Sequence, residues 1–221
     1  MHELAVTEDG THTIYHQELK EHYHSIHGAL QESRHVFITH GLHPMINQAA
    51  SLSILEVGFG SGLNAYLSLI ESERSACKLA YDTLEAFPIS LENAALLNYP
   101  NLLEVHADAE QFLALHCCAW EKPISINSHF EFTKYLTKLE DFVAVKNYDL
   151  IFFDAFSPAV QPELWTEQQF KKLFDVLNSN GRLVTYCAKG EVKRNLKKVG
   201  FTIQSFPGPP GKREMTVAFK N

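Results

Sequence analysis

From about residue 51 onward, apolar runs alternate with helical segments, and this alternation restricts the fold more than any other feature of the chain. The runs are short and rich in β-branched and aromatic residues, and apolar residues recur at helical spacing between them. Parallel strands joined by crossover helices give this pattern. The run YDLIFFDAF at residues 148–156 is apolar enough for a strand buried on both faces. We therefore predict a doubly wound α/β fold with this run near its centre.

The same reading gives bounds for the other elements. Further strands are predicted at residues 52–57, 78–85, 129–137, 182–188, 201–206 and 214–219. Helices are predicted at residues 63–72, from Pro88 to about 98, 166–177 and 191–199, with Asn180 and Gly181 ending the third of these. A further helix and a Pro-containing loop precede residue 129, although LLEVHADA at residues 102–109 could instead be the third strand.

These elements predict a mostly parallel, seven-stranded sheet that ends in an antiparallel hairpin. Residues 51–221 form the main domain, and residues 1–50 form an N-terminal extension, either a small lid or a pair of strands.

Length and composition suit one domain. The chain has 221 residues, of which 45% are hydrophobic and 20% are charged, enough for one sizeable core. No apolar stretch approaches the roughly 18 residues of a membrane span, and the N-terminus lacks a signal-peptide pattern, so we expect a cytoplasmic protein without a membrane partner. The four cysteines form no C-x-x-C pair and the histidines near the N-terminus lack ligand spacing, so we expect no metal site.

Charge is unevenly distributed along the chain. The formal net charge is −7, which opposes general binding to polyanions. Residues 182–221, however, hold nine Lys or Arg residues against two Glu residues. This basic stretch is either a landing surface for phosphates or a solvated helix face. The candidates for phosphate contact are Lys189, Lys193, Arg194, Lys212 and Arg213.

A glycine turn follows the first strand of the main domain. In ILEVGFGSGLN, the glycines Gly58, Gly60 and Gly62 let the backbone turn tightly and bring its amides close to a ligand. A dinucleotide fingerprint would need a glycine where Leu63 stands, and a P-loop pattern is absent. The turn therefore predicts a nucleotide-like cofactor other than NAD.

The E-x-G-x-G-x-G form of this turn resembles motif I of class I S-adenosylmethionine (SAM) methyltransferases. The resemblance implies that Glu56 lies near the methionine end of the cofactor and that Glu85, which ends the second strand, accepts hydrogen bonds from the ribose hydroxyls. In that family an acid after the third strand contacts the adenine amino group. Lys138 stands at that position, and the acids nearby are Asp108, Glu140 and Asp141.

An acid also ends the central strand. Asp154 begins DAFSP, and ligands of doubly wound sheets bind beyond the carboxyl ends of the strands. Asp154 is therefore the candidate catalytic residue, with capping of the next loop as the alternative. Phe156 after it could stack on a base, although loop packing is the other interpretation.

Long strings of the chain resemble the methyltransferase domain of the MnmC-like family, which completes the 5-methylaminomethyl group on the wobble uridine of certain tRNAs. They are VGFGSGLNAYL, LEAFP, YDLIFFDAFSPAVQPELWTEQQF, GRLVTYCAKGEVKRNLKKVGF and PGPPGKREM. The resemblance implies cofactor binding by Glu56, Gly58, Phe59, Gly60, Gly62, Asn64 and Glu85. It also implies that Asp154 binds the amine that is methylated.

The implied function is SAM-dependent N-methylation of an aminomethyl group on tRNA. The best-known members of the family carry an oxidase domain that generates the amine, and 221 residues leave no room for one, so we expect a separate oxidase as a partner. A SAM-dependent methyltransferase of small molecules is the alternative, favoured by the acidic body of the chain and opposed by the basic stretch.

Overall fold

An eight-stranded sheet forms the centre of the computed structural model, which describes residues 2–17, 19–75, 77–103 and 108–221. The strands are β1 (His2–Val6), β2 (His12–His16), β3 (Glu21–His22), β4 (Ser51–Val57), β5 (Lys78–Glu85), β6 (Ile124–Asn127), β7 (Phe130–Leu136), β8 (Tyr148–Phe153), β9 (Leu177–Thr185), β10 (Thr202–Pro207) and β11 (Glu214–Phe219). In the sheet their order is β10-β11-β9-β8-β4-β5-β7-β6. β4, β5, β7, β8 and β9 run parallel, whereas β6, β10 and β11 pair antiparallel with their neighbours.

Helices cover both faces of this sheet. The α-helices are α1 (Ala29–Ser33), α2 (His43–Ile46), α3 (Leu63–Ser75), α4 (Leu91–Ala95), α5 (Tyr99–Leu102), α6 (Ala109–Cys117), α7 (Glu167–Val176) and α8 (Gly190–Lys198). One hydrophobic cluster joins the sheet to α3, α6 and residues 29–46, and a second joins the opposite face to α7 and α8. The central strands are therefore buried on both faces, which explains their continuous apolar runs.

The N-terminal residues form their own small sheet and then a long helical segment. β1, β2 and β3 pair antiparallel. A π-helix, Arg34–Leu42, joins α1 to α2, and its apolar residues are buried against the main sheet. No helix within the described ranges is both long and apolar enough to cross a bilayer.

The predicted doubly wound fold is confirmed, with one strand more than the seven predicted. The additional strand, β6, occupies the region predicted as a Pro-containing loop and pairs with β7 at the edge of the sheet. Only Ser128 and His129 separate β6 from β7, so the two strands form a hairpin. The alternative third strand at residues 102–109 includes residues 104–107, which lie outside the described ranges.

One helix and one helix stop signal differ from the prediction. The helix expected from Pro88 is short: Ser90 caps α4, accepting a hydrogen bond from the Asn93 amide, and a second short helix, α5, follows. The helix predicted at residues 166–177 is present as α7, but Asn180 and Gly181, predicted as its stop signal, lie inside β9, which begins at Leu177. Strand β9 is therefore longer at its start than the predicted strand of residues 182–188.

Candidate functional site

The site lies where the strand order reverses. From β4 the chain moves outward to β5 and β7, then returns to β8 on the other side of β4. The carboxyl ends of β4 and β8 are adjacent, and the Asp154 amide donates to the Val57 carbonyl at 3.0 Å. Such a switch point leaves a crevice beyond the strand ends, where doubly wound folds bind ligands.

The glycine turn follows β4 at this point. Gly58, Gly60 and Gly62 have φ angles of 94°, 52° and 77°. A side chain would rarely adopt these angles, so the turn depends on glycine at all three positions. The amides of Gly58 and Phe59 donate to the Leu84 carbonyl at 3.0 and 3.1 Å, which fixes the turn against the end of β5.

Glu85 closes the turn from the β5 side. Its two carboxylate oxygens accept the amides of Gly60 and Phe87, each at 2.8 Å. A carboxylate oxygen has two lone pairs, so each oxygen can still accept a hydroxyl. Burial raises the pKa of Glu85, while the Phe87 and Gly60 amides act in the opposite direction. The carboxylate is thus held rigidly and can bind a pair of ribose hydroxyls.

A cavity of about 330 Å³ opens between these groups. Among the predicted site residues, it is lined by Gly58, Phe59, Gly60, Glu85 and Asp154. Phe87 and Leu139 add apolar surface to the lining. An apolar cavity with a few converging polar groups suits a nucleoside-like ligand.

Asp154 has an unusual electrostatic environment. Its Oδ2 accepts a hydrogen bond from Asn64 Nδ2 at 2.8 Å, which fixes the carboxylate. Burial raises the pKa of Asp154 to about 7, and the negative charge of Glu32 adds to the effect, whereas the Asn64 bond and Lys212 oppose it. The carboxylate can therefore take and release a proton near neutral pH.

Three predicted cofactor residues lie behind the cavity rather than on its surface. Glu56 is fully buried; its Oε2 accepts from Thr83 Oγ1 at 2.7 Å, and its Oε1 has no hydrogen-bond partner among the described residues. Burial raises its pKa well above the usual range, with Asp154 adding to the shift. Asn64 and Gly62 are likewise absent from the lining. Asn64 donates a hydrogen bond to Asp154, and Gly62 lies against Phe59, both of which line the cavity.

The residues considered for contact with adenine differ in whether they line the cavity. Lys138 and Glu140 line the cavity. Asp108 instead caps α6, where its carboxylate accepts the Glu110 amide at 2.7 Å. Asp141 does not line the cavity. Of the three acids left open by the sequence, Glu140 is the one near the site.

The N-terminal segment contributes residues that sequence reasoning did not assign to the site. His16, Tyr23 and His24 line the cavity. The Tyr23 ring packs edge-on against Phe156, with centroids 5.1 Å apart, and it lies over Gly60. His24 Nε2 is 2.6 Å from Ser61 Oγ in the glycine turn. Burial lowers the pKa of His24 to about 4, so its imidazole is neutral at pH 7.

A signal for these residues was present in the sequence. Six histidines fall within the first 30 residues. Their spacing predicts no metal site, and it indicates no other role. Within the described ranges, no group of three or more His, Cys, Asp or Glu residues is placed to hold a metal ion. The histidine-rich segment instead forms one wall of the cavity.

Some of the predicted phosphate contacts are engaged within the protein. Lys193 pairs with Glu214 at 2.7 Å, and Lys212 pairs with Glu32. Lys189, Arg194 and Arg213 are exposed and have no ion-pair partner among the described residues. The basic stretch is therefore less available to a ligand than its composition indicates.

Comparisons with known proteins give consistent results. The family model described as S-adenosyl-L-methionine-dependent methyltransferase matches residues 101–221. The tRNA 5-methylaminomethyl-2-thiouridine biosynthesis bifunctional protein MnmC of Ralstonia nicotianae is 30% identical over 89% of this chain and 31% of its own length. The protein of the same name from Cupriavidus metallidurans is 31% identical over 98% of this chain and 33% of its own length. The chain thus spans about a third of these relatives.

The similarity to a solved structure extends over nearly the whole chain. The crystal structure of MNMC2 from Aquifex aeolicus superimposes with a TM-score of 0.80 and 26% identity, covering 99% of this chain and 70% of that one. The similarity therefore includes the N-terminal segment as well as the doubly wound sheet.

Proposed function

This chain belongs to the S-adenosyl-L-methionine-dependent methyltransferase family, and we propose that it methylates an aminomethyl group on the wobble uridine of tRNA. Its cofactor is S-adenosyl-L-methionine, as for the family. The proposed substrate is supported by the relatives, whose name assigns them to tRNA 5-methylaminomethyl-2-thiouridine biosynthesis. That a separate oxidase supplies the amine stays a prediction.

The observation that carries the proposal is that Asp154 lines the same cavity as the glycine turn and Glu85. Asp154 directly follows β8, and its backbone lies against Val57 and Gly58 at the end of β4. We assign the cofactor to the part of the cavity formed by the glycine turn and Glu85, with its ribose hydroxyls on Glu85 and its adenosine beside Phe87. The residues present fit this ligand because Glu85 keeps free lone pairs and the glycine turn leaves its edge open to the cavity.

Glu56, Gly62 and Asn64 support the cofactor side indirectly. Asn64 fixes the Asp154 carboxylate. Glu56 lies beneath the turn with one oxygen unpaired among the described residues, which suits a role in shaping the methionine end of the site. Phe59 lines the cavity and packs against His116, so it holds the turn in place.

The reaction places two demands on this chain. S-Adenosyl-L-methionine supplies a methyl group on a sulfonium, which is already activated for displacement. An alkylamine with a pKa of about 10 is mostly protonated at neutral pH and then has no lone pair for attack. The protein must therefore orient the amine and help it lose a proton.

Asp154 meets both demands. A carboxylate with a pKa of about 7 is partly ionised at neutral pH, so it accepts a hydrogen bond from the amine and directs the nitrogen lone pair toward the methyl group. The bound cofactor would supply the methyl group to the amine nitrogen, and Asp154 would take the proton that the nitrogen loses and pass it to water. Alignment of this kind contributes about 7–11 kcal/mol to the lowering of the barrier.

A tRNA partner is supported by exposed cations near the C-terminus. Lys189, Arg194, Lys197 and Arg213 are exposed and unpaired among the described residues. Cations of this kind bind phosphates without reading sequence. A small-molecule substrate remains the second candidate, because the net charge of −7 and the internal pairing of Lys193 and Lys212 reduce attraction to RNA.

Labelled methyl transfer tests the proposal. The protein is incubated with methyl-labelled SAM and bulk tRNA from a strain that lacks this gene, the tRNA is digested, and the labelled nucleoside is identified. We expect label in a 5-methylaminomethyl uridine derivative. Label only in a small-metabolite extract supplied in parallel would overturn the tRNA assignment and support the second candidate.

The Asp154→Asn variant tests the proposed mechanism. The amide keeps the size of the side chain but cannot accept a proton from the amine. We expect about a 10²- to 10⁴-fold loss in turnover with SAM affinity retained. Turnover near that of the original protein would remove Asp154 from the catalytic role.

A further inference from the structure

An ion pair next to the site connects the two ends of the chain. Glu32, on α1, pairs with Lys212, in the loop between β10 and β11. The Glu32 side chain is only 8% exposed and that of Lys212 is 32% exposed. Burial of the Glu32 carboxylate costs desolvation, so the pair is weak evidence for stability alone.

The neighbours of this pair lead to Asp154. The Ser25 amide donates to the second Glu32 oxygen at 3.0 Å, which fixes the carboxylate. Lys212 Nζ lies 3.8 Å from the centre of the Tyr186 ring. The Tyr186 hydroxyl donates to the Ala155 carbonyl at 2.8 Å, one residue after Asp154. The pair is therefore held in a fixed position relative to the catalytic loop.

The groups that act on Asp154 come from several elements. Asn64 donates a hydrogen bond to it from α3, and the Glu32 charge acts from α1. The buried Glu56, on β4, feels the charge of Asp154 in turn. The Lys212 charge acts on Asp154 in the direction opposite to that of Glu32. The charged side chains of Glu85, Lys138 and Glu140 line the same cavity as Asp154. His24 faces the pair but stays neutral at pH 7, and the Tyr186 hydroxyl does not ionise there. The net charge acting on the Asp154 carboxylate therefore depends on whether Lys212 neutralises Glu32.

We infer that Glu32 and Lys212 are positioning residues for methyl transfer, whose ion pair sets the pH range in which Asp154 can accept the proton of the substrate amine. The inference rests on the catalytic role of Asp154 proposed above. Neither residue lines the cavity, so both act through Asp154 rather than by touching the substrate.

The sign of each effect follows from charge. Removal of the Glu32 charge leaves a cation near Asp154, which favours its ionised form and lowers its pKa. Removal of the Lys212 charge leaves Glu32 unpaired, which disfavours a second negative charge and raises the pKa of Asp154.

Single-charge variants test the inference through the pH dependence of turnover. In Glu32→Gln, which keeps an oxygen for the Ser25 amide, we expect the acid limb to move to lower pH by about one unit. In Lys212→Met, which keeps the aliphatic chain, we expect a shift of similar size to higher pH. The double variant should fall between the two single variants.

Two controls separate charge from structure. Lys212→Arg keeps the cation and should keep the original midpoint. Lys171→Met removes the cation of an exposed pair with Asp175 on α7 and should leave the pH profile unchanged. Equal losses of activity in both single variants without a shift of the midpoint would show that the pair is only structural, and would overturn the inference.

Direct titration distinguishes this failure from that of the proposed function. The Asp154 carboxyl carbon is followed by NMR in the substrate-free protein, with Asp154→Asn used to assign the signal. Opposite shifts of this titration in Glu32→Gln and Lys212→Met support the electrostatic coupling. If the Asp154 titration shifts but the pH dependence of turnover does not, Asp154 is not the catalytic proton acceptor. Both proposals then fail at that step. An unmoved titration overturns the coupling alone.

Discussion

Glycines that look equivalent in the sequence have different roles in the turn. A Cβ at Gly58 would lie 2.6 Å from the Asp154 carbonyl oxygen, so this glycine permits the close approach of β4 and β8. A Cβ at Gly62 would lie 2.8 Å from His116 Nε2 and 3.0 Å from Phe59 Cζ. Gly62 therefore serves packing beneath the turn, whereas Gly58 brings the two sides of the site together.

Substitution of Gly62 tests this distinction. Gly62→Ala adds the strain of a positive φ, about 1–2 kcal/mol, and a clash with His116 and Phe59, about 1–3 kcal/mol. The free energy of unfolding, measured by denaturant titration, should fall by the sum of the two.

Gly10→Ala is the matched control. Gly10 has a φ of 81°, close to that of Gly62, and a Cβ there meets nothing within 4 Å. It should lose only the strain term of about 1–2 kcal/mol. Equal losses for the two variants would contradict the packing role of Gly62.

The residue types that carry the site could largely be read from the sequence. The glycine spacing and the acids at strand ends predict Gly58, Gly60, Glu85 and Asp154, and these residues line one cavity. The burial of Glu56 behind the cavity could not be predicted. Because β4 is covered on both faces, only the tertiary packing shows that its side chain does not reach the cavity. The assignment of all eight predicted residues to catalysis or cofactor binding stays a prediction.

At the scale of elements, residues typical of a helix end predicted element bounds less reliably than apolar periodicity did. Asn180 and Gly181 have the composition of a helix end, yet they lie inside β9. Asn180 has a φ of 64°, and its amide donates to the Lys220 carbonyl at 2.7 Å. A Cβ at Gly181 would lie 2.9 Å from the Asp149 carbonyl oxygen. The pair is thus required by close strand contacts, which the sequence cannot distinguish from a helix cap.

The start of α6 gives a prediction about Asp108. Because its side chain caps the helix and does not line the cavity, Asp108→Ala should lower the free energy of unfolding by about 1 kcal/mol. The dissociation constant for SAM, measured by calorimetry, should not change. Glu140→Ala is the comparison, since Glu140 lines the cavity. A tenfold weaker affinity for SAM in Asp108→Ala would show that Asp108 contributes to cofactor binding, and would contradict its assignment as a helix cap alone.

At the scale of the whole molecule, distant parts of the chain meet at one strand end. The site combines the N-terminal segment, the glycine turn, the DAFSP loop and, through the Glu32–Lys212 pair, the C-terminal hairpin. The sequence indicated the two middle parts, because each follows a strand directly. The outer parts reach the site through tertiary contacts between residues up to 180 positions apart, which periodicity does not encode. The division into residues 1–50 and 51–221 stays a prediction.

The most direct test is a crystal structure of the protein with S-adenosyl-L-homocysteine. We predict that the ribose hydroxyls lie within hydrogen-bond distance of Glu85, that the adenosine lies beside Phe87, and that the sulfur faces the Asp154 carboxylate across the cavity. A ligand bound away from the glycine turn, or an Asp154 side chain directed away from the sulfur, would contradict the account.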